Sequence, residues 1–363
     1  MLGGGQLGWM LGLAGIPLGI DFQFLDPSPE APAGAVGDLV VGGLDDIAAA
    51  RKAAAGATAV TYEWEGVPAA TARALAGDVA LHPSARALEL SQDRLTEKAT
   101  FQSLGIGTAP FRAVDDRTTL DAALVDLGLP AVLKTRRGGY DGKGQALLRT
   151  TADVDDAWTT LGGVPLILEG FVPFDRELSI IAVRGGTGEI RCWAVVENTH
   201  VDGILRITRA PAPRGAAELQ TAAEACIVPL LESLDYVGVA CVELFQVGDD
   251  LLVNEWAPRV HNSGHWTIEG AATSQFENHV RAVLGWPLGS TETRRLSTMV
   301  NCIGGMPDAR DVLLTAEAHP HDYGKAPRHG RKVGHITVTG STSAEVDTRL
   351  APVQALVDRS TNG

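Results

Sequence analysis

Val242-Glu243-Leu244-Phe245, a polar break at Gly248-Asp249-Asp250, and Leu252-Val253-Asn254-Glu255 form the stretch whose reading decides the fold. Apolar and polar residues alternate on both sides of the break, so residues 237–246 and 251–254 read as the two strands of a hairpin. Alternation sends Glu243 and Glu255 to one face. Asn254, next to Glu255, points nearer the other face unless the strand end twists. Two carboxylates and an amide oxygen on adjacent strands suit Mg²⁺, a hard ion that takes oxygen ligands and is usually shared with nucleotide phosphates. Alone, the same residues could flank a hairpin by chance, so their surroundings must decide.

A glycine-rich stretch lies upstream. Residues 131–135 read as a strand, followed by Arg136-Arg137-Gly138-Gly139-Tyr140-Asp141-Gly142-Lys143-Gly144 and a second strand at 146–148. This differs from the strand–loop–helix of a Rossmann or Walker site. Glycines let a backbone close over a ligand, with N–H groups available to phosphate oxygens. Lys134, at the end of the first strand, can reach a phosphate as a point charge. Directly after the hairpin, residues 255–265 (EWAPRVHNSGH) concentrate polar side chains. There Arg259 can offset charge on a transferring phosphoryl group, and His265 reads as a hydrogen-bonded structural histidine. The basic run 325–332 (KAPRHGRK) is a candidate anion clamp or, more plainly, a solvated loop.

The chain opens with a glycine loop at residues 3–8, a helix at 7–18 and a strand at 20–25 that ends in the turn signal Asp26-Pro27. A strand at 38–41, a helix at 44–55, a strand at 59–62 and helices at 69–76 and 93–104 follow, the last closed by Gly105. Such alternation predicts a parallel sheet with helices on both faces. A glycine loop of this kind normally follows a buried strand, and only Met1-Leu2 precedes this one. The first strand is therefore expected to be largely missing, through a late start or a clipped chain. Further on, strands at 166–168, 178–183, 191–196 and 205–209 suggest a largely antiparallel sheet, with helices at 216–234 and 274–284. The tail reads as a strand from 297, a polar loop at 319–332, a strand at 335–339 and a helix from 344.

The 363 residues carry 30 basic and 44 acidic side chains, a net charge of −14, and 45% are apolar. A chain of this length holds roughly two or three domains. The acidic balance argues against nucleic acid or an anionic membrane as partner, because no broad positive field exists. Cys192, Cys226, Cys241 and Cys302 match no zinc or redox spacing and read as buried reduced thiols. No apolar run approaches the roughly 18–20 residues of a membrane span. No signal peptide is visible, so the cytoplasm is the expected location.

Together these stretches resemble the ATP-grasp superfamily, and within it the 5-(carboxyamino)imidazole ribonucleotide synthase family, also described as the ATPase subunit of phosphoribosylaminoimidazole carboxylase. The matching runs are GGGQLGWML (3–11), TYEWEGVP (61–68), QDRLTEK (92–98), LKTRRGGYDGKGQ (133–145), HVDGILR (200–206), YVGVACVELF (236–245), NEWAPRVHNSGHWT (254–267), QFENHVRA (275–282) and GRKVGHI (330–336). They span nearly the whole chain in order. The resemblance implies a mixed α/β and α+β chain. It would have a pre-ATP-grasp parallel-sheet domain at 1–90, an ATP-grasp domain at 91–295 with its glycine-loop lobe at about 108–168, and a small C-terminal domain at 296–363. It implies ATP- and bicarbonate-dependent carboxylation of 5-aminoimidazole ribonucleotide through carboxyphosphate, with ADP and phosphate released, in a homodimer.

Site roles carry over position by position. Arg94 and Lys134 match ATP phosphate contacts, and Gly139, Tyr140, Asp141, Gly142, Lys143, Gly144 and Gln145 match the loop that covers the phosphates. Glu169, Gly170, Phe171 and Val172 match the hinge that reads adenine through its backbone. Glu177 matches the ribose ligand and His200 a further nucleotide contact. Glu243 and Glu255 match the ligands of Mg²⁺, or of Mn²⁺ in its place, with Asn254 beside them. On the ribonucleotide side, Gln6 and Leu7 match the binding loop and Glu65 an amine contact, while Asn262, Lys325, Arg331 and Lys332 match sugar and phosphate contacts. Tyr140, Asp141, Arg259 and Lys325 are the expected catalytic group. Two other readings compete. One is another ATP-grasp ligase, such as a formate-dependent glycinamide ribonucleotide transformylase. The other is a nucleotide-binding module or NAD-dependent enzyme using the Gly3, Gly5, Gly8 spacing, which lacks the full strand that such a site requires.

Overall fold

A computed structural model describes residues 1–139 and 142–361, and, for Ala216, the backbone alone. Tyr140 and Asp141, two expected catalytic and phosphate-loop residues, lie outside the described residues.

The N-terminal unit is a parallel sheet in which single residues stand in for strands. Gln23–Asp26 pairs in parallel with Asp38–Val41. Leu2 bridges in parallel to Leu25 on one side and Tyr62 on the other, and Val60 bridges to Leu81. The first strand is thus present in miniature at the centre of the sheet. The Leu2 amide donates to the Thr61 carbonyl at 2.8 Å, and the Leu25 amide donates to the Met1 carbonyl at 2.9 Å. Leu2 and Tyr62 are buried in one core with Leu25 and Leu75. The expected strand at 59–62 is accordingly a row of bridges. The expected helix at 7–18 is Gln6–Gly15 followed by a 3-10 turn, Ile16–Leu18, because Pro17 cannot supply the next helical N–H.

Helix Arg94–Ser103 leads out of this unit. Asp93 caps it, accepting from the Leu95 amide at 3.0 Å. A four-stranded antiparallel sheet follows, in the order Phe111–Val114, Leu166–Gly170, Ala131–Thr135, Gln145–Leu148. Helices Arg117–Leu127 and Ala152–Leu161 share its core. Neither helix, nor the strand Phe111–Val114 or the helix Ala85–Ser91, stands out in the sequence pattern. A capping box at Asp116 and Thr119 marks the first helix.

The remaining strands form one nine-stranded sheet. Its order is Asp250–Ala257, Gly238–Val247, Arg176–Arg184, Val196–Val201, Ile204–Ala210, Leu296–Ile303, Lys332–Gly340, Ala318–Asp322, with Ile190–Cys192 also pairing with Arg176–Arg184. Every pairing is antiparallel. The expected strand at 191–196 is split in two between neighbours. Part of the expected polar loop at 319–332 is strand: His319 to Asp322 pair with Thr337 to Gly334. It reads as polar because it is an edge strand, and His321 reaches across to Glu269 at 2.7 Å. Ile204–Ala210 pairs directly with Leu296–Ile303, so the sheet runs unbroken through the region where the C-terminal segment begins. Helix Ala216–Ser233 packs on this sheet in a core with Tyr236 and Trp256.

Leu2→Ala is expected to destabilise the N-terminal unit by about 2–5 kcal/mol, the usual cost of truncating a fully buried leucine. A lowered urea midpoint, read from the unfolding of this variant against the parent chain, checks it.

Candidate active site

The site begins with strand register. Glu243 pairs with Glu255, and Leu244 pairs with Val253, so Asn254 is the extra residue of a β-bulge. A bulge swings its extra side chain off the regular alternation, which explains how Asn254 can join its neighbour Glu255. Glu243 also pairs with Ser179, and Glu177 with Asn198. Period-two alternation therefore places Glu177, Ser179, Asn198, His200, Glu243 and Glu255 on one face of the large sheet.

Paired carboxylates on one rung repel, and each has a cationic or polar partner. Arg94 donates to Glu255 Oε2 at 2.7 Å and to the Gly139 carbonyl at 3.3 Å. His261 Nε2 lies 3.1 Å from Glu243 Oε1. His261 Nδ1 lies 2.9 Å from Ser263 Oγ, which leaves Nε2 turned toward Glu243. Burial opposes the His261 charge, but Cys241 and Glu243 outweigh it and raise the pKa to about 10. Burial works against the Glu243 carboxylate, but His261 and His200 outweigh it and hold the group below the usual range. His200 Nδ1 contacts Glu177 Oε2 at 3.0 Å. Asn254 Oδ1 is buried without a partner in the structure.

Across the cleft, Lys134 and Glu169 stand diagonally on neighbouring strands of the four-stranded sheet, with Nζ 3.0 Å from Oε2. Burial opposes the Lys134 charge and lowers its pKa in spite of Glu169. Burial also opposes the Glu169 charge, but Lys98 and Lys134 outweigh it and keep the carboxylate ionised. Of the expected adenine hinge, the Gly170 and Phe171 amides are already donated to the Pro110 and Pro130 carbonyls, at 2.8 and 3.2 Å. The Glu169 side chain faces the lysines. Val172 is half-buried, and its carbonyl accepts from the Phe174 amide at 3.0 Å.

The glycine loop closes on itself. Gly144 has φ +72°, and a Cβ there would lie 2.7 Å from Thr135 Oγ1. A Cβ on Gly142 would lie 3.1 Å from the Asp202 carbonyl oxygen, so the loop rests on the turn that joins His200's strand to the next.

The residues expected on the ribonucleotide side lie where the N-terminal unit, the loop after the hairpin and the C-terminal strands meet. Gln6 Oε1 accepts from Lys325 Nζ. Burial, with Arg331 and Lys332 nearby, lowers the Lys325 pKa to about 8. Arg331 donates to the Ala326 carbonyl at 3.3 Å. Leu7, expected beside Gln6 in the same loop, is buried in the core. Asn262 and Asn301 exchange amide hydrogen bonds at 3.0 and 2.7 Å, joining the loop after the hairpin to the C-terminal strand. Glu65 and Arg259, expected on different ligands, grip each other: Arg259 Nη2 donates to Oε1 at 2.9 Å and Nε to Oε2. His265 is buried against Phe276 and His335, with Nδ1 3.2 Å from Gln275 Nε2. Three of the cysteines are buried, Cys192 is half-buried, and all four are free thiols.

Several residues escaped the sequence reading. Glu63 accepts from the Gly5 amide and, at 2.5 Å, from the Gly8 amide, filling the glycine loop from below. Glu63 lies at a bend and Glu65 in the turn that follows, so strand alternation gives no signal for either. Glu97 accepts from the Trp256 amide at 2.6 Å, and Lys98 lies between the lobes. Arg94, Glu97 and Lys98 stand at i, i+3 and i+4 of one helix face, which is readable in advance.

A cleft between two sheets, with a glycine lid, buried lysines and a carboxylate rung, defines the ATP-grasp ligases. An ATP-grasp domain family matches residues 99–276, a ribonucleotide synthetase preATP-grasp domain residues 1–92, and a phosphoribosylaminoimidazole carboxylase C-terminal domain residues 297–349. The N5-carboxyaminoimidazole ribonucleotide synthase of Pseudomonas aeruginosa is 50% identical over 99% of both chains. The crystal structure of N5-carboxyaminoimidazole ribonucleotide synthetase from Thermus thermophilus is 57% identical, covers 98% of this chain and 97% of its own, and has a TM-score of 0.94. The Aspergillus clavatus synthase, in complex with ADP and 5-aminoimidazole ribonucleotide, is 34% identical with a TM-score of 0.92, over 99% and 97% of the two chains. The chain belongs to the N5-carboxyaminoimidazole ribonucleotide synthase family, the ATP-dependent ligases that carboxylate aminoimidazole ribonucleotide in purine biosynthesis.

Because the Asn254 side-chain oxygen has no protein partner, Asn254→Leu is expected to leave stability within about 1 kcal/mol of the parent. The same substitution should weaken Mn²⁺ binding, measured by electron paramagnetic resonance with ADP present, by about ten- to a hundredfold.

Proposed function

We propose that this chain uses bicarbonate as the carboxyl source, activates it with ATP to carboxyphosphate, and transfers the carboxyl group to the exocyclic amine of 5-aminoimidazole ribonucleotide. The observation that carries the reading is the Glu243–Glu255 rung with the unpartnered Asn254 oxygen beside it. Among the described residues no cluster of three or more His, Cys, Asp or Glu forms a ready metal cage. Two carboxylates suit an ion completed by phosphate oxygens. Mg²⁺, or Mn²⁺ in its place, would be held there by Glu243 and Glu255. When bound it would offset charge on the phosphoryl group in transfer.

The protein's own residues do the rest. Lys134 and Arg94 would contact the phosphates, the glycine loop would cover them, and Glu177 and His200 would hold the ribose side. Bicarbonate is a poor electrophile, and phosphorylation gives it a leaving group. Its oxygen attacks the γ-phosphorus, ADP leaves, and the carboxyphosphate releases phosphate as CO₂ forms. The amine then attacks CO₂ and loses a proton. Glu65 orients Arg259, whose remaining N–H groups would bind bicarbonate and carboxyphosphate. Gln6, Leu7, Asn262, Lys325, Arg331 and Lys332 would hold the ribonucleotide. Tyr140 and Asp141 complete the proposed carboxyphosphate group. Closure of the loop would keep water from that intermediate. A cytoplasmic homodimer is part of the same reading; no helix among the described residues is long and apolar enough to cross a membrane.

ADP production is expected to require both aminoimidazole ribonucleotide and bicarbonate for full rate. Formate in place of bicarbonate as the required acid would reject the assignment in favour of a formate-dependent ligase. Glu255→Ala should lower turnover on the order of a hundredfold or more while the circular dichroism spectrum stays unchanged.

Lys325 yields a pH prediction. With its pKa lowered to about 8, the ammonium is charged below that pH and neutral above it. Only the charged form attracts the ribonucleotide phosphate. The kcat/KM for the ribonucleotide should therefore fall about tenfold per pH unit above this point. Lys325→Arg, which does not titrate in this range, should flatten the alkaline limb.

A further inference from the structure

Lys98 has no role in the ligand assignments, yet its side chain is only 1% exposed. It leaves helix Arg94–Ser103 and ends between the lobes. Its ammonium lies 3.3 Å from Glu169 Oε2 and donates to the Asn254 carbonyl at 3.1 Å. Lys134 reaches the same Glu169 oxygen at 3.0 Å from the opposite lobe. Two buried ammonium groups thus share one buried carboxylate oxygen, while the neighbouring Glu97 carboxyl is buried beside them and accepts from the Trp256 amide. A buried carboxylate that loses its cation is costly unless another cation lies at hand.

The two lysines are held differently. Lys98 is anchored on the main chain of the Asn254 bulge, at the large sheet. Lys134 donates to Glu169 from the end of the strand that enters the glycine loop. Arg94, one helical turn from Lys98, is engaged with Glu255.

We propose that Lys98 is a positioning residue, the reserve counter-ion of Glu169: a nucleotide phosphate draws Lys134 away, and Lys98 stays to neutralise the carboxylate left behind. The inference rests on the reading of Lys134 as a phosphate contact. Without Lys98, a phosphate competes with Glu169 for Lys134, and each binding event strands a buried, ionised carboxylate. With Lys98, Lys134 changes partner at little cost. Lys98 acts through Glu169, so its effect on nucleotide binding disappears when the carboxylate is removed.

A double-mutant cycle in the full chain tests this, using Lys98→Met, Glu169→Gln and the pair, with ATP KM, kcat, ADP affinity by calorimetry and thermal midpoints. Lys98→Met is expected to raise ATP KM and ADP Kd by about tenfold or more with kcat within about threefold, and the pair should bind as Glu169→Gln alone does, within about threefold. Losses that multiply in the pair would show an independent structural role and overturn the proposal. If Lys98→Met does not fold, the comparison of Glu169→Gln with the pair decides: a difference of about tenfold or more in ADP Kd rejects it. Turnover of the parent chain with bicarbonate and ribonucleotide is measured alongside. Its absence would reject the proposed reaction, while the ADP-binding cycle still decides the role of Lys98.

Discussion

Two carboxylates opposed on one rung of an antiparallel ladder are the constraint around which this molecule is arranged. Like charges placed directly opposite destabilise a sheet, so Glu243 and Glu255 persist only because other elements bring compensation. Helix Arg94–Ser103 must lie across the end of the hairpin to deliver Arg94. The chain after the hairpin must fold back to deliver His261, whose ring is held by the Ser263 hydroxyl. The same fold-back carries Arg259 to Glu65 and Asn262 to Asn301, tying the hairpin to the first domain and to the C-terminal strand. Charge neutralisation at one rung thus organises contacts among all three parts of the chain.

The cleft is provisioned with ion pairs in which one partner is exchangeable. Arg94 with Glu255 and Lys134 with Glu169 hold cations near the place where phosphates would sit. Arginines and lysines kept paired in this way are preorganised, and binding replaces one anion by another rather than ordering a loose side chain. Glu63 does a similar service on the ribonucleotide side. It occupies the amides of Gly5 and Gly8 and is buried, which raises its pKa despite those amides.

Much of this was legible because it is local. Alternation placed Glu243 and Glu255 on one face, and glycine spacing marked the loop between two paired strands. The bulge was not legible: nothing in the residues 252–255 says that one of them drops out of register, and that slip turns Asn254 out of the regular alternation. Leu2 shows the opposite failure. A strand too short to leave a pattern still occupies the centre of its sheet, because two neighbours supply its hydrogen bonds. His319 to Asp322 hid as a loop because an edge strand has polar partners outside the ladder. Glu65 and Arg259 are 194 residues apart, and no local pattern could pair them. Lys98 was visible at helical spacing from Arg94, but only burial revealed that it faces both lobes.

The nine-stranded sheet runs through the carboxylate rung and on into the C-terminal strands, while the glycine loop belongs to a separate sheet of four. Mechanically this is a vice with one fixed jaw. The fixed jaw carries the Glu243 and Glu255 carboxylates and is continuous, strand by strand, with the support for Asn301 and the basic run after Asp322. Any hinge motion of the smaller sheet would carry Lys134, Glu169 and the glycine loop against the Glu243–Glu255 rung. A compound wedged under the glycine loop would therefore jam that motion, and one lodged beside Lys325 would meet nearly the same surface whether the jaw is open or shut.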